Sequence, residues 1–305
     1  MKIRIGARGS ALSLAQTDLV ARALRERAEV EVISISTTGD RLSRLEAAMT
    51  GKDLFTREID DALLDRRIDV GVHSLKDMPS RLPDGLALAA VPPREDPSDV
   101  LVSRERVRLG SLPPGSRLGT SSARRRAQIL AARPDLELLE ARGNVDTRIR
   151  RLNEGRWDAI VLARAGLARL GRLEEVTEVL PPSLMLPAIG QGALAVVTRE
   201  DDHAVRELVA RLDDSRSHWE ALAERALLDL LEAGCRAPVA GLARVEKSRL
   251  RLSGAVFAPD GSRTLSDEAE GPVENAEALG REVARRLLEG GAAELIALAR
   301  GSPGT

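Results

Sequence analysis

KIRIGARGSALSLAQTDLVARALRERAEVEVISIST, residues 2–37, decides the fold. Residues 2–7 alternate apolar and polar, as a strand does. Arg8-Gly9-Ser10 is a turn. Ser13 to about Arg27 has the spacing of an amphipathic helix, with Leu14, Leu19, Val20, Ala23 and Leu24 expected on one side. Val30 to Thr37 is a second strand. A β-α-β opening is the unit of a parallel sheet.

The same alternation continues outward. A helix is expected over Arg57–Arg67 and strands over Ile68–His73 and Leu86–Val91. Thr38 to Lys52 has no clean period and is expected to be a loop. Pro92-Pro93-Arg94-Glu95-Asp96-Pro97-Ser98 is a stiff polar segment between apolar runs, which marks a domain boundary. A second α/β series follows. Its strands are expected at Val100–Val102, Arg117–Gly119, Leu136–Ala141 and Ala159–Ala163, with helices at Ser121–Ala132 and Asp146–Asn153. Another strand (Leu194–Thr198) and helix (about Asp202–Leu212) come next, and Asp213-Asp214-Ser215 is a second candidate linker. The tail has a helix (His218–Glu232), three strands (Val239–Val245, Leu250–Phe257, Thr264–Glu270) and two closing helices (Val273–Leu288, Ala292–Ala299).

Composition narrows the function. At 305 residues the chain has room for two or three domains. Basic and acidic residues nearly cancel, 46 against 47, which argues against a nucleic-acid partner. Aromatic residues are 1% of the chain and Tyr is absent, so there are few platforms on which bases could stack. No apolar run is long enough to span a membrane, and the first residues lack a signal-peptide h-region. The single cysteine excludes an internal disulfide. A cytoplasmic location is expected. The three histidines, His73, His203 and His218, have no metal-ligand spacing, so no metal is expected.

Several strand ends carry chemistry. The strand at 68–73 runs into Ser74-Leu75-Lys76-Asp77-Met78-Pro79, and ligands of open α/β sheets sit beyond the carboxyl ends of strands. A carboxylate there can act as acid, base or cation stabiliser; a capping Asp in a turn is the plainer alternative. Gly119-Thr120-Ser121-Ser122-Ala123-Arg124-Arg125-Arg126 is a strand-to-helix turn with Arg in the first helical turn. Cations there oppose the helix dipole, and a bound anion would explain them. Three consecutive arginines cannot face one site, and Arg126 is expected to be structural or solvated. Arg142-Gly143-Asn144-Val145-Asp146-Thr147-Arg148 repeats the arrangement, Arg164 and Arg169 flank Ala165-Gly166-Leu167, and Arg8 follows the first strand. Arginine at successive strand ends points to a polyanion lying in a cleft between two domains. Gly190-Gln191-Gly192 precedes a strand and so fails the dinucleotide fingerprint. The lone Cys235, in Ala233-Gly234-Cys235-Arg236-Ala237-Pro238, is either a small buried hydrophobe or a reactive attachment point.

Taken in order, Ile5–Ser10, Val72–Pro79, Gly119–Arg125, Arg142–Arg148, Ala188–Ala193 and Gly234–Pro238 resemble the porphobilinogen deaminase (hydroxymethylbilane synthase) family over nearly the whole chain. The resemblance implies a dipyrromethane cofactor in thioether linkage to Cys235. It implies Asp77 as the catalytic aspartate. It places Arg8, Ser74, Lys76, Ser122, Arg124, Arg125, Arg142, Arg148 and Arg169 against the carboxylates of cofactor and substrate, and adds Thr120, Ser121, Gly143 and Gln191 to that set. Lys52 and Phe55 would lie on an active-site loop, where Asp53 stands in place of the usual family Gly. The substrate would be porphobilinogen, four molecules being joined head to tail with loss of ammonia and released as linear hydroxymethylbilane. A monomer without membrane or nucleic-acid partners is implied.

The expected fold is α/β in three domains. Two lobes like those of periplasmic binding proteins would span 1–92 plus 190–212 and 98–187. A small α+β domain with a three-stranded antiparallel sheet would span 216–305. A non-catalytic two-lobed protein for a polycarboxylate would also explain the arginines, but not the third domain with its lone Cys. A phosphate- or nucleic-acid-binding protein would explain the Arg-rich turn, against the neutral charge and missing aromatics.

Overall fold

In the computed structural model, which describes residues 1–38, 56–234 and 237–301, the opening stretch is a parallel β-α-β unit. In chain order the first elements are β1 (Lys2–Arg8), α1 (Ala11–Arg25), β2 (Glu29–Ile35), α2 (Arg57–Leu64), β3 (Val70–Ser74), β4 (Leu86–Ala90), β5 (Asp99–Ser103), β6 (Arg117–Gly119), α3 (Ala123–Ala132), β7 (Glu137–Leu139), α4 (Val145–Asn153), β8 (Ala159–Ala163), α5 (Arg164–Arg169) and β9 (Glu178–Leu180). They are followed by β10 (Leu194–Arg199), α6 (His203–Ala210), α7 (Ser215–Leu230), β11 (Val239–Glu246), β12 (Arg249–Phe257), β13 (Thr264–Pro272), α8 (Ala276–Glu289) and α9 (Ala292–Gly301). The helix α5 and the strand β9 are not foreseen from the pattern, both being short.

The chain divides into two contact units, Met1–Glu95 with Gly192–His218, and Asp96–Gln191 with Trp219–Thr305. The first holds a five-stranded sheet in the order β2-β1-β3-β10-β4. β1 is parallel to β2 and β3, and β10 is antiparallel to β3 and β4. Ile3, Ile5, Val70, Val72 and Val196 pack with Val20 and Leu24 of α1 and Val205 and Val209 of α6.

The second unit contains a sheet in the order β7-β6-β8-β5-β9, the same order with β5 in the place of β10. β6 is parallel to β7 and β8, and β5 is antiparallel to β8 and β9. Its two faces carry separate cores, one around Leu101, Leu118, Ile129 and Val161, the other around Val100, Ile149, Trp157 and Ile160. The same unit holds the antiparallel sheet β11-β12-β13. Its core joins α7, α8 and α9, with Leu227, Leu252, Val256, Val283 and Leu295 at the centre. Ala127 of α3 and Phe257 of β12 belong to one apolar cluster and connect the two sheets within this unit.

Two sequence expectations change. Leu14 and Leu19 are 42% and 50% exposed, and α1 instead buries Ser13, Gln16, Thr17, Val20, Ala21 and Leu24. The buried face is apolar at one end of the helix and polar at the other, so hydrophobicity alone picks the wrong side. Asp213-Asp214-Ser215 is not a loop but leads into α7, and the chain passes from one contact unit to the other within that helix, after His218. Asp214 Oδ1 accepts from Ser217 N at 2.8 Å, and Asp213 Oδ1 accepts from Val91 N at 2.7 Å. A side-chain acceptor at this place satisfies a backbone donor that the first helical turn leaves without an internal partner.

Candidate active site

In each α/β sheet the order reverses beside the first strand of the series, between β1 and β3 and between β6 and β8. Carboxyl ends of strands at such a switch point open the crevice where ligands of α/β sheets bind. Both switch points carry the residues singled out from sequence.

At the first, β1 ends at Arg8 and β3 at Ser74. Ser10 caps α1, its Oγ accepting from Ser13 N at 3.3 Å, while Arg8 N donates to Ser13 Oγ at 3.1 Å. Gln16, 4% exposed, donates from Nε2 to Ser74 Oγ at 2.8 Å. The residue-by-residue reading missed Gln16. Its signal is Ser13-x-x-Gln16-Thr17, a polar i, i+3, i+4 set on one helix face. The turn after β3 is tied down by Leu75 N to Ala193 O at 3.0 Å and Met78 N to Leu75 O at 3.2 Å. It presents Lys76 and Asp77, both half-buried. The Asp77 carboxylate has no hydrogen-bond or ion-pair partner among the described residues. His73, one residue before Ser74, is buried. Burial, with a smaller push from the Arg8 charge, lowers its pKa to about 4, so it is neutral at pH 7.

At the second switch point Gly119 has no side chain because Trp157 lies beneath it; a Cβ there would come within 2.8 Å of the indole. The turn that follows is closed by its own hydroxyls. Thr120 Oγ1 accepts from Ser122 N at 3.3 Å, Ser121 Oγ from Ala141 N at 3.1 Å and Ser122 Oγ from Arg125 N at 3.4 Å. Thr120 is buried, Ser121 exposed and Ser122 half-buried.

The arginines of this turn have a protein anion of their own, so a bound anion is not the only explanation for them. Asp99, fully buried at the start of β5, accepts from Arg124 Nη1 at 2.7 Å, from Arg125 Nε at 3.0 Å and Nη2 at 2.7 Å, and from Gln191 Nε2 at 3.1 Å. Burial would raise the Asp99 carboxyl; the charges of Arg124 and Arg125 outweigh it and hold the group well below the usual carboxylate range. Arg125 also donates to Val161 O at 2.9 Å, Arg124 to Leu186 O at 2.7 Å, and Gln191 to Pro97 O at 2.7 Å. Arg126 is structural as expected, reaching Leu138 O at 3.1 Å.

Further along this unit, Arg142 is half-buried and paired with Glu140. Gly143 has φ +103°, and a Cβ there would lie 3.0 Å from Thr147 Cγ2. Asn144 caps α4 through Thr147 N at 2.9 Å. Arg148 and Arg169 are half-buried, and Arg164 Nη1 lies 3.4 Å from Asp96 Oδ2.

Cys235 and Arg236 lie outside the described residues, as do Lys52 and Phe55. On either side of the Cys235-Arg236 pair, Ala237 N donates to Gly234 O at 2.9 Å.

The residues present fit a group rich in carboxylates. Arg124 is 4% exposed, yet its Nε has no acceptor among the described residues. Asp99 neutralises one of two buried guanidinium groups, so the cluster keeps a positive charge. A carboxylate arriving there would answer both the orphaned donor and the charge.

Residues 3–207 match the family model described as "Porphobilinogen deaminase, dipyromethane cofactor binding domain", and residues 219–289 match "Porphobilinogen deaminase, C-terminal domain". The porphobilinogen deaminase of Desulforudis audaxviator is 48% identical over 303 residues, 98% of each chain. That of Thermus thermophilus is 48% identical over 300 residues, covering 97% of this chain and 98% of its own. By two family models and by relatives aligned end to end, the chain belongs to the porphobilinogen deaminase family.

Proposed function

We propose a division of labour among these residues for the reaction of the family. Each cycle breaks the aminomethyl C–N bond of one porphobilinogen and joins its methylene carbon to a free pyrrole α-carbon. The α-proton lost there balances the ammonia released. After four additions, water releases linear hydroxymethylbilane. The dipyrromethane, held by Cys235 through a thioether, would supply that free pyrrole α-carbon for the first addition, and the ring last added would supply it thereafter.

Asp77 is the catalytic residue. As the C–N bond breaks, positive charge builds on the porphobilinogen ring and its N–H becomes more acidic. A fixed carboxylate that accepts this N–H stabilises the charge as it develops. The same group can pass a proton toward the leaving amine. The observation that carries this reading is the half-buried Asp77 carboxylate, without a partner among the described residues, at the switch point of the first sheet. Arg8, Ser74 and Lys76 would orient carboxylates beside it, with Gln16 fixing the Ser74 hydroxyl. In the second unit Ser122, Arg124, Arg142, Arg148 and Arg169 would hold carboxylates of cofactor and growing product. Thr120, Ser121, Gly143 and Gln191 would shape that region through the backbone and through Asp99. Arg125, with Nε and both terminal nitrogens already donating to protein oxygens, would act mainly by supporting Arg124. Lys52 and Phe55 would cover the site.

Asp77→Asn keeps the shape of the side chain and removes its charge. The expected result is a KM for porphobilinogen within a few-fold of wild type and a kcat lower by about 100-fold or more. A variant turning over at close to the wild-type rate would remove Asp77 from this role.

The chain is read as a cytoplasmic monomer that needs neither membrane nor nucleic acid. No helix among the described residues is long and apolar enough to cross a membrane. The formal net charge of −1 supplies no field for nucleic acid. Sedimentation at working concentration tests the monomer.

A further inference from the structure

We propose that Asp99 is a positioning residue for the reaction, the internal counter-ion that holds both arginines in place at the anion-binding helix start of the second sheet. The inference rests on the reading in which Arg124 holds a ligand carboxylate.

The two arginines share Asp99 unequally. Arg125 gives it two donors, Nε and Nη2, and spends Nη1 on Val161 O. Arg124 gives it only Nη1, which also serves Leu186 O. Its Nε is buried without a partner among the described residues. One carboxylate thus anchors both guanidinium groups but satisfies only one of them. Without Asp99 the two adjacent cations would share a water-poor site, and like charges there repel strongly enough to drive one side chain outward.

Asp99 also gathers four separate stretches of chain. It sits on β5, its arginines on α3, and Gln191 on the segment leading to β10. Through Arg125 and Arg124 it reaches Val161 of β8 and Leu186. A simple structural ion pair would need only one of the arginines. A buried carboxylate that leaves a net positive charge and an unmet donor at a ligand-facing helix start is organised toward an outside anion.

The test compares wild type, Asp99→Asn, Asp99→Glu and Arg124→Gln. After incubation with porphobilinogen, the fraction carrying the dipyrromethane is read by intact mass, and KM, kcat and the thermal midpoint are measured. Asp99→Asn should melt cooperatively, yet its loaded fraction should fall by about tenfold or more. Its loaded remainder should show a KM raised by about tenfold with kcat within a few-fold, because Asp77 is untouched. Asp99→Glu keeps the charge at a longer reach. It should load, with a KM between wild type and Asp99→Asn, and it carries the test should Asp99→Asn fail to fold. A lowered thermal midpoint with normal loading and normal KM in the Asp99 variants would make the residue merely structural and overturn the inference. Arg124→Gln separates the two ideas. Poor loading in Arg124→Gln with normal loading in Asp99→Asn sinks only the role of Asp99. Normal loading and KM in Arg124→Gln would sink the ligand reading of the helix start as well.

Discussion

His73 stands next to Ser74 but takes no charge into the site. The ring is 4% exposed, and Asp60 Oδ1, at 3.6 Å from Nε2, is too distant for a hydrogen bond. Its folded-state pKa of about 4 lies below the ordinary value of 6.5. The unfolded chain therefore binds the extra proton. The contribution to stability is complete above about pH 6.5 and is lost as the pH falls toward 4, on the order of 3 kcal/mol at most. Denaturant unfolding should show a shallower loss of stability between pH 7 and pH 4.5 in His73→Gln than in wild type. Equal slopes would mean that the imidazole does not titrate as its burial dictates. At this scale spacing alone leaves Asp77 between a reactive carboxylate at a strand end and a capping Asp in a turn, and the family resemblance is what singles it out. Asp99 was not legible. Its partners lie 25 and 26 residues away, and an Asp after Pro97-Ser98 looks like a turn residue until the helix start folds onto it.

Elements were easier to read than faces. Strands at Arg117–Gly119 and Ala159–Ala163 fall where the alternation places them, and the closing three-stranded sheet pairs as consecutive antiparallel strands. The face of α1 was misread because Ser13, Gln16 and Thr17 are polar but buried against the strand ends that form the site. Local hydrophobicity does not report burial of this kind, in which Ser13 and Gln16 are hydrogen-bonded and the Thr17 hydroxyl has no partner among the described residues. The α7–α8 contact shows a constraint of the same scale. A Cβ on Gly280 would meet Ala223 O at 2.3 Å and Ala226 Cβ at 2.7 Å. Alanine has the better helix propensity by about 1 kcal/mol, but here it would force two backbones apart. Gly280→Ala should lower stability by roughly 1–3 kcal/mol, read as a lower denaturation midpoint at unchanged m-value. A stabilised variant would show that the helices can separate at little cost.

On the scale of the whole molecule, two sheets share one strand order, and in each the antiparallel strand is the first one after a chain crossing. β5 follows the crossing at Glu95/Asp96, and β10 follows the return at Gln191/Gly192. The first crossing was legible as Pro92–Ser98, because paired prolines and charges interrupt both apolar runs. The return is implied by the family resemblance, while Gly190-Gln191-Gly192, whose glycines take φ of +71° and +88°, reads in sequence only as a failed dinucleotide fingerprint. Each sheet carries candidate residues at its own strand ends, Arg8, Ser74 and Asp77 in the first unit and Thr120 to Arg125 in the second. In the proposed reading the lone Cys235 anchors the dipyrromethane. Intact mass spectrometry of freshly purified, active protein tests this most directly. The account predicts a mass increased by one dipyrromethane, lost in Cys235→Ser; an unmodified mass in active protein, or an adduct that persists in Cys235→Ser, would contradict it.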